Sequence, residues 1–514
     1  MLFRMGIVII CSLSFAPIFL AAGVIHVPGD QPTIQDGIDA ASNGDTVLVA
    51  DGTYTGAGNI DLDFGGKIIS LQSENGPSGC LINCQNNGRG FTFHSGENKD
   101  AMVHGFTIQN GYALDNGGGI SCDSSSPTIM NNVFSGNTAA FYGGGVYCYN
   151  ASPKIIYNAF TGNSADEDGG GIYCNEASPE IAYNTFSGNT ADYDGGAIAC
   201  LTASPEIMHN VISGNAAPKG GGFYCRDLSS PIISNNLITG NWASAWGGGM
   251  YILASSPTLN SNTISGNIAG FDGGGICCHH IDSFPTVTDS VLWGNTATTG
   301  NELFIAYSST FTISYSDVEG GQAAAYVETG STLNWGSGMM DNDPLFVTGS
   351  MGDYYLSHIA AGDASDSPCV DAGSVTIGLQ ISGNRVIPAG TARTDHVLDS
   401  GVLDLGYHHS VIGIAEAGGP YSNRANQAII FDASKSFDPY GTIVEYRWDW
   451  TNDGTWDTAW LSDPAITHTY HVEFHGQARL QVKDSDDYTD TDLTEVTTFP
   501  PISGGKNWLV EIPE

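Results

Sequence analysis

The stretch Ser178–Cys200, SPEIAYNTFSGNTADYDGGAIAC, is one copy of a unit that recurs every 26 residues. Its Ser-Pro opening stands at Ser126-Pro127, Ser152-Pro153, Ser178-Pro179, Ser204-Pro205, Ser230-Pro231 and Ser256-Pro257, and a further copy begins two residues late at Phe284-Pro285. Self-similarity at a fixed period of this length marks a solenoid, in which each repeat buries its apolar face only against its neighbours. Equivalent side chains then form columns along the axis. Ile181 belongs to one apolar column (Ile129, Ile155, Ile207, Ile233, Leu259, Val287) and Phe186 to a second (Phe134, Phe160, Ile212, Ile238, Ile264, Leu292). Between them Asn184 stacks with Asn132, Asn158, Asn210, Asn236 and Asn262, and a Gly-Asn pair follows Phe186 in every copy. Past a variable loop and a Gly run, a third strand places Ile198 and Cys200 inward by strand alternation. Three short strands per unit, with Asn- and Gly-rich turns and no helical period, predict an all-β parallel β-helix.

The 514-residue length exceeds what one core usually supports, so further domains are expected. Residues 1–23 open with Arg4, an apolar run from Ile7 to Leu20 and small residues to Gly23, which reads as a signal peptide cleaved near Ala22 or Gly23. A secreted or cell-surface location without a membrane span is the expectation. Net charge is −39, from 54 acidic and 15 basic side chains, which argues against nucleic acid, whose phosphates require Lys and Arg. Cys122, Cys148, Cys174, Cys200, Cys225 and Cys278 share one column with Ile252. A residue that alternates with Ile behaves as a small buried hydrophobe, although bridges between rungs stay open. Cys80 with Cys84, and Cys277 with Cys278, are the better candidates for pairing.

VPGDQPTIQDGIDAASNGDTVLVADGTY (Val27–Tyr54), GGGISCDSSSPTIMNNVFSGNTA, DPLF (Asp343–Phe346), SPCVDAG (Ser367–Gly373) and LDLGYHH (Leu403–His409) resemble the right-handed parallel β-helix proteins of the pectate-lyase-like superfamily. The resemblance covers about residues 24–410. It implies an N-terminal cap over 24–60, with a helix around Ile34–Ala41 before a first strand at Thr46–Val49, regular repeats over 117–300 and a closing segment over 343–410. From 415 to 499, FDASKSFDPYGTIVEYRWDW and THTY resemble a PKD-type domain, a small Ig-like β-sandwich used as a spacer or binding module on exported enzymes. A tail, 500–514, follows.

Chemistry is expected at the variable loop before each Gly run, whose last position reads Asn116, Tyr142, Asp168, Asp194, Lys219, Trp246 and Asp272. Asp166 and Asp192 stand two residues before Asp168 and Asp194. Carboxylates one rung apart repel unless neutralised, and Ca²⁺ is the natural counter-ion; solvated loop charge is the alternative. An outward column on the third strand, Tyr147, Tyr173, Tyr224 and Tyr251, reads as an exposed ladder for stacking sugar rings or stabilising adjacent rungs. Tyr193, Trp246 and Arg226 extend this edge. In the C-terminal domain Asp449, Asp453 and Asp457 partly imitate a calcium loop, although Thr451 and Trp460 depart from its pattern and a hairpin turn around Asn-Asp-Gly is the favoured reading. His279-His280 reads as a surface insertion.

Two function classes follow. The first is binding of extracellular polysaccharide or cell-surface glycan by a monomer, extended to Ca²⁺-dependent β-elimination of a polyuronate. Lyases of the resembled fold use Lys or Arg as base, and Lys219 is the candidate here. The second is a non-catalytic adhesin or structural rod.

Overall fold

Each regular coil carries four strands. In one coil these are Glu180–Ala182, Thr185–Ser187, Thr190–Ala191 and Ile198–Leu201. The two-residue strand is additional to the three read from the sequence, because two residues are too few to register as a periodic run. In this computed structural model, residues 23–349, 352–374 and, with interruptions between 375 and 441 and at 486–488, the chain to 500 are described. The segment before Gly23, expected to be a signal peptide, most of the 411–416 linker and the tail beyond Pro500 lie outside the described residues. The protein is a parallel β-solenoid of about 12 turns followed by a small β-rich C-terminal domain.

The chain divides into two compact units, Met1–Glu206 with Gly214–Ser229 and Ile207–Ser213 with Ser230–Glu514. In the first unit the columns stand in the expected register, with Ile155 beside Ile181, Phe160 beside Phe186 and Ala165 beside Ala191. The Phe160 and Phe186 rings stack at 4.8 Å and 5°. Cys122, Cys148, Cys174, Cys200 and Cys225 follow one another as register partners. They are free and buried, as are Cys80, Cys84, Cys277 and Cys278, so the two pairings expected from sequence are not formed.

Two asparagine ladders hold the turns. Asn163 Nδ2 donates to Asn189 Oδ1 at 2.9 Å and to the Phe134 carbonyl at 3.0 Å. Its Oδ1 accepts from both the backbone N–H and the Nδ2 of Asn137. Asn189 repeats this pattern with Asn215 and the Phe160 carbonyl. A buried carboxamide thus satisfies all four of its hydrogen-bonding positions. In the second unit the ladder through Asn241, Asn267 and Asn295 ends on Glu302, whose carboxylate oxygens accept from the Asn295 N–H and Nδ2. Glycine is required beside the ladder, because a Cβ on Gly144 would lie 2.3 Å from the Ser164 carbonyl oxygen and 2.5 Å from that of Gly170.

Two features at the ends differ from expectation. The cap helix spans Ile34–Ala40, capped by Thr33, but the first strand is Val24–Val27, ahead of the helix, and it pairs in parallel with Thr46–Val49. The segment after residue 343 returns along the flank of the second unit instead of only closing an end. There Asn235 exchanges hydrogen bonds with the His408 backbone, Tyr407 N–H donates to Thr263 Oγ1, Ser374 binds Asp289, and Cys369 Sγ meets Asp317 Oδ2 at 3.2 Å. Polar side chains at turn and flank positions of these coils are what the returning backbone satisfies.

In the C-terminal domain Tyr421–Arg424, Thr489–Phe499, Phe474–Asp484 and Ile443–Asp449 form one sheet in that order, facing the pair Ile429–Asp432 and Ala465–His468. Trp448, Phe431, Leu480, Val482 and Val496 fill the core between them.

Asn163→Ala removes one member of the ladder and leaves the groups it served buried and unpaired. A loss of about 1–3 kcal/mol per unsatisfied group is expected in urea unfolding. An unchanged midpoint would mean that the ladder contributes no stability.

Candidate functional site

The loop between the two-residue strand and the Gly run has two layers in the first unit. The outer layer is one column, in which Phe141 N–H donates to the Asp115 carbonyl, Glu167 N–H to that of Phe141 and Tyr193 N–H to that of Glu167, at 3.0–3.1 Å. Phe141 and Tyr193 are 46% and 57% exposed. Asp115, Asp166 and Asp192 are exposed and Glu167 is half-buried. The outer layer therefore alternates aromatic and acidic residues, one rung at a time.

The inner layer is the column that the sequence singled out. The Asp168, Asp194 and Lys219 carbonyls accept from Gly143, Gly169 and Gly195 N–H on successive rungs. The side chains of Asp168 and Asp194 are buried, whereas Asp166 and Asp192 are exposed, so the four carboxylates form two layers rather than one cluster. Among the described residues no three His, Cys, Asp or Glu side chains converge on a metal position. Lys219 Nζ lies 3.4 Å from Asp194 Oδ1 and is its counter-charge. The Tyr224 hydroxyl also hydrogen-bonds Asp194, and Arg226 contributes a second positive charge. Burial, reinforced by the Asp194 charge, pushes the Asp168 carboxyl up to about 7, against the pull of Arg226. Burial raises Asp194 as well, opposed by Lys219.

The exposed tyrosine ladder is not formed. Tyr173, Tyr224 and Tyr251 are buried and Tyr147 is half-buried. Strand alternation turns these rings away from the core, but the loop folds back over them. Tyr142 stacks on Tyr173 at 4.5 Å, and in the second unit Trp246 stacks on Tyr251 at 6.1 Å. The tyrosines are the floor beneath the loop, and solvent-facing aromatics of the loop are Phe141 and Tyr193 in the first unit and Phe271 in the second. Phe141 was not singled out from the sequence. Its signal was a column shared with Tyr193, one place before the loop's last residue.

His279, expected on the surface, is buried in the second unit. It ends the strand Ile276–His279 in register with Leu253, and only the residues from His280 are inserted. Its Nδ1 lies 3.0 Å from the Tyr251 hydroxyl and its Nε2 3.4 Å from Cys277 Sγ, and burial pushes its pKa down to about 4. In the C-terminal domain the calcium-like loop is held by its own backbone. Asp449 accepts from Thr451, Asp453 and Gly454 N–H and lies 3.4 Å from Arg479, Asp453 accepts from Thr455 N–H, and Asp457 accepts from Trp450 N–H.

The family model of the right-handed β-helix region matches residues 168–318, and that of the PKD domain matches residues 412–498. A model of the Chlamydia polymorphic membrane protein repeat matches residues 159–175. No curated protein matches the chain. Among solved structures, one from work on the promiscuous specificity of carbohydrate-binding modules of the β-sandwich superfamily is 27% identical, over 17% of this chain and 35% of that one, with a TM-score of 0.15. This chain thus spans about a third of that structure's length. The PKD1 domain of Vibrio anguillarum Epp is 20% identical over 18% of this chain and 96% of its own, with a TM-score of 0.15. The PL6 family alginate lyase AlyGC, solved as a mutant, is 12% identical over 70% of this chain and 60% of its own, with a TM-score of 0.34. The coil register and the two domain matches agree: the chain is a right-handed parallel β-helix with a PKD domain at its C-terminal side.

Proposed function

We propose that the chain is an exported, monomeric glycan-binding β-helix whose ligand lies along the loop edge from Asp115 to Tyr193, parallel to the solenoid axis. The observation that carries this reading is the outer column, in which exposed Phe141 and Tyr193 stand two rungs apart with Glu167 between them. Aromatic faces pack against the C–H faces of sugar rings, and carboxylates accept from sugar hydroxyls. Rungs about 4.8 Å apart match the length of one extended pyranose residue closely enough for neighbouring sugars to keep register with neighbouring coils. Exposed Asp166 and Asp192 supply two carboxylates, too few to cage Ca²⁺ alone, so an ion there takes its remaining oxygens from an acidic sugar.

A second reading, β-elimination on a polyuronate, is favoured by Asp168. A carboxyl raised to about 7 beside Asp194 and Lys219 is the kind of perturbed cluster that marks acid–base chemistry. In that reaction Lys219 takes the C5 proton, the C4–O bond breaks with its electrons leaving on oxygen, and Asp168 protonates the leaving oxygen.

Binding to alginate, pectate and neutral glucans is measured by affinity electrophoresis with and without Ca²⁺. Phe141→Ala and Tyr193→Ala are each expected to weaken binding about tenfold, the worth of one aromatic stacking contact. Retention of full affinity in the double variant would remove the loop edge as the site. Failure of the wild type to bind any glycan would leave the non-catalytic rod.

The second reading predicts unsaturated products absorbing in the ultraviolet and their loss in Lys219→Ala. It also sets a pH test that needs no substrate. Because the folded Asp168 carboxyl keeps its proton to a higher pH than the unfolded one, its contribution to stability is full below the ordinary carboxylate range and is lost as pH rises through about 7. The Tm of Asp168→Asn relative to wild type is therefore expected to climb from pH 4 to pH 8. A constant difference would place the Asp168 carboxyl at its ordinary value.

A further inference from the structure

One face of the PKD domain carries cations and indoles in alternation. Arg447 stands on Ile443–Asp449, and Arg479 and Lys483 stand on the neighbouring antiparallel strand, with Asp449 opposite Arg479, Arg447 opposite Gln481 and Glu445 opposite Lys483. Residues 445, 447 and 449 therefore share a face with 479, 481 and 483, while Trp448, Leu480 and Val482 enter the core on the other side. Trp456 and Trp460 fold over that outer face from the loop that follows Asp449. The Arg447 guanidinium lies 4.4 Å from the Trp456 ring centre and 4.3 Å from that of Trp460. Arg479 lies 4.3 Å from Trp456, and Lys483 Nζ 5.2 Å from Trp460. Across the face the order is Lys483, Trp460, Arg447, Trp456, Arg479, with every member half-buried.

This is an unusual placement in a chain with 15 basic residues and a net charge of −39. Two indole rings flank the Arg447 guanidinium and one flanks that of Arg479, which leaves the N–H edges, the part of arginine that recognises anions. Arg447 donates from Nε to the neutral amide of Gln481 at 2.7 Å, and its remaining four N–H donors lie at the edge. Burial and the neighbouring Arg479 charge both lower the Arg447 pKa, so the central cation gains from an added negative charge. Lys483 and Arg479, at the two ends, are paired with Glu445 and Asp449. The centre of the ladder is where an incoming anion is best received.

We propose that this ladder is a binding site for a polyanionic glycan, held through its acidic groups by the guanidinium edges of Arg447 and Arg479. A chain at −39 repels such a polymer unless a cation intervenes, and the ladder supplies a positive contact that an acidic polysaccharide needs. The site is built in a different domain from the loop edge and does not depend on that reading.

The test uses the full mature chain against three polymers, a polyuronate, a sulfated polysaccharide and a neutral glucan. The expected result is binding of the charged polymers that weakens as salt rises, with a loss of at least tenfold in Arg447→Gln at unchanged Tm. The uronate and sulfate arms show which acidic group is preferred. Arg447→Lys, which keeps the charge but lacks the planar fork, is expected to recover only part of the affinity. Lys483→Gln, at the end of the ladder, probes the site if Arg447→Gln fails to fold. Phe141→Ala with Tyr193→Ala is expected to leave this salt-sensitive component in place, which separates failure here from failure at the loop edge. Full polyanion affinity in a folded Arg447→Gln, or in Lys483→Gln if that variant alone folds, overturns the proposal. So does equal affinity for the neutral glucan.

Discussion

Stacking coil upon coil demands that the turns of every coil bury their amides in the same place. A turn that enters the interior carries N–H and C=O groups that water cannot reach, and each left unpaired costs about 1–3 kcal/mol. The asparagine ladders meet that demand by repetition. Each carboxamide accepts from the asparagine before it, donates to the one after it, and donates again to a carbonyl of the preceding coil. Such a ladder works only if a side chain able to accept from the preceding coil returns at the same position, because a gap strands a donor. At the ends of the ladders Glu302 and Ser290 take that place. The repeat length and the Gly runs follow from the same geometry. The Gly144 Cα passes so near the neighbouring carbonyls that no side chain fits.

The same constraint decides where function can lie. Positions inside a ladder or an apolar column vary only among side chains of like kind, as Cys with Ile252 or Phe186 with Ile212 do, because the next coil packs on them. The loop before the Gly run is held mainly by main-chain hydrogen bonds from rung to rung, so its side chains are free to differ. Outer and inner layers arise because the loop turns back over the third strand. The loop's last residue then turns to the floor while the two before it face solvent, as buried Asp194 after exposed Asp192 and Tyr193 shows. A carboxylate pair in the buried layer, with Lys219 and Arg226 as counter-charges, adjoins along the chain the outer column that carries exposed Phe141 and Tyr193.

What the sequence revealed was whatever repeats. The Ile, Phe, Asn and Cys columns were legible because strand alternation and a 26-residue period together determine whether a side chain points inward or outward. The stacked thiols followed from Ile252 occupying their register. Alternation gives direction, however, and direction is not exposure. It placed Tyr173 and Tyr224 outside the core correctly but could not show that the loop covers them. His279 was misread for a related reason, since the insertion was assigned to the whole His-His pair although the strand continues through the first histidine. The returning segment was hardest to place. Its contacts, such as Asn235 with His408, join residues 173 apart through side chains that look like ordinary turn residues.

Charge is distributed by the same logic of repetition and exception. A repeating coil multiplies whatever stands on its surface, and acidic loops multiplied along the solenoid help bring the chain to −39. That charge favours solubility and disfavours anionic partners. With 15 basic residues against 54 acidic ones, each positive group has many acids to answer. Lys219 ends the strand Ala216–Lys219 and lies 3.4 Å from buried Asp194. Arg226 ends the strand Phe223–Arg226, pairs with Asp227 and acts on buried Asp168 through its charge. Arg447, Arg479 and Lys483 stand in the domain that has no repeat at all, ordered by tryptophans that keep the guanidinium planes apart. In the solenoid Lys219 neutralises one of the protein's own acids. In the PKD domain the central cation is met by an amide and two indole faces, and that leaves its charge available to something outside the chain.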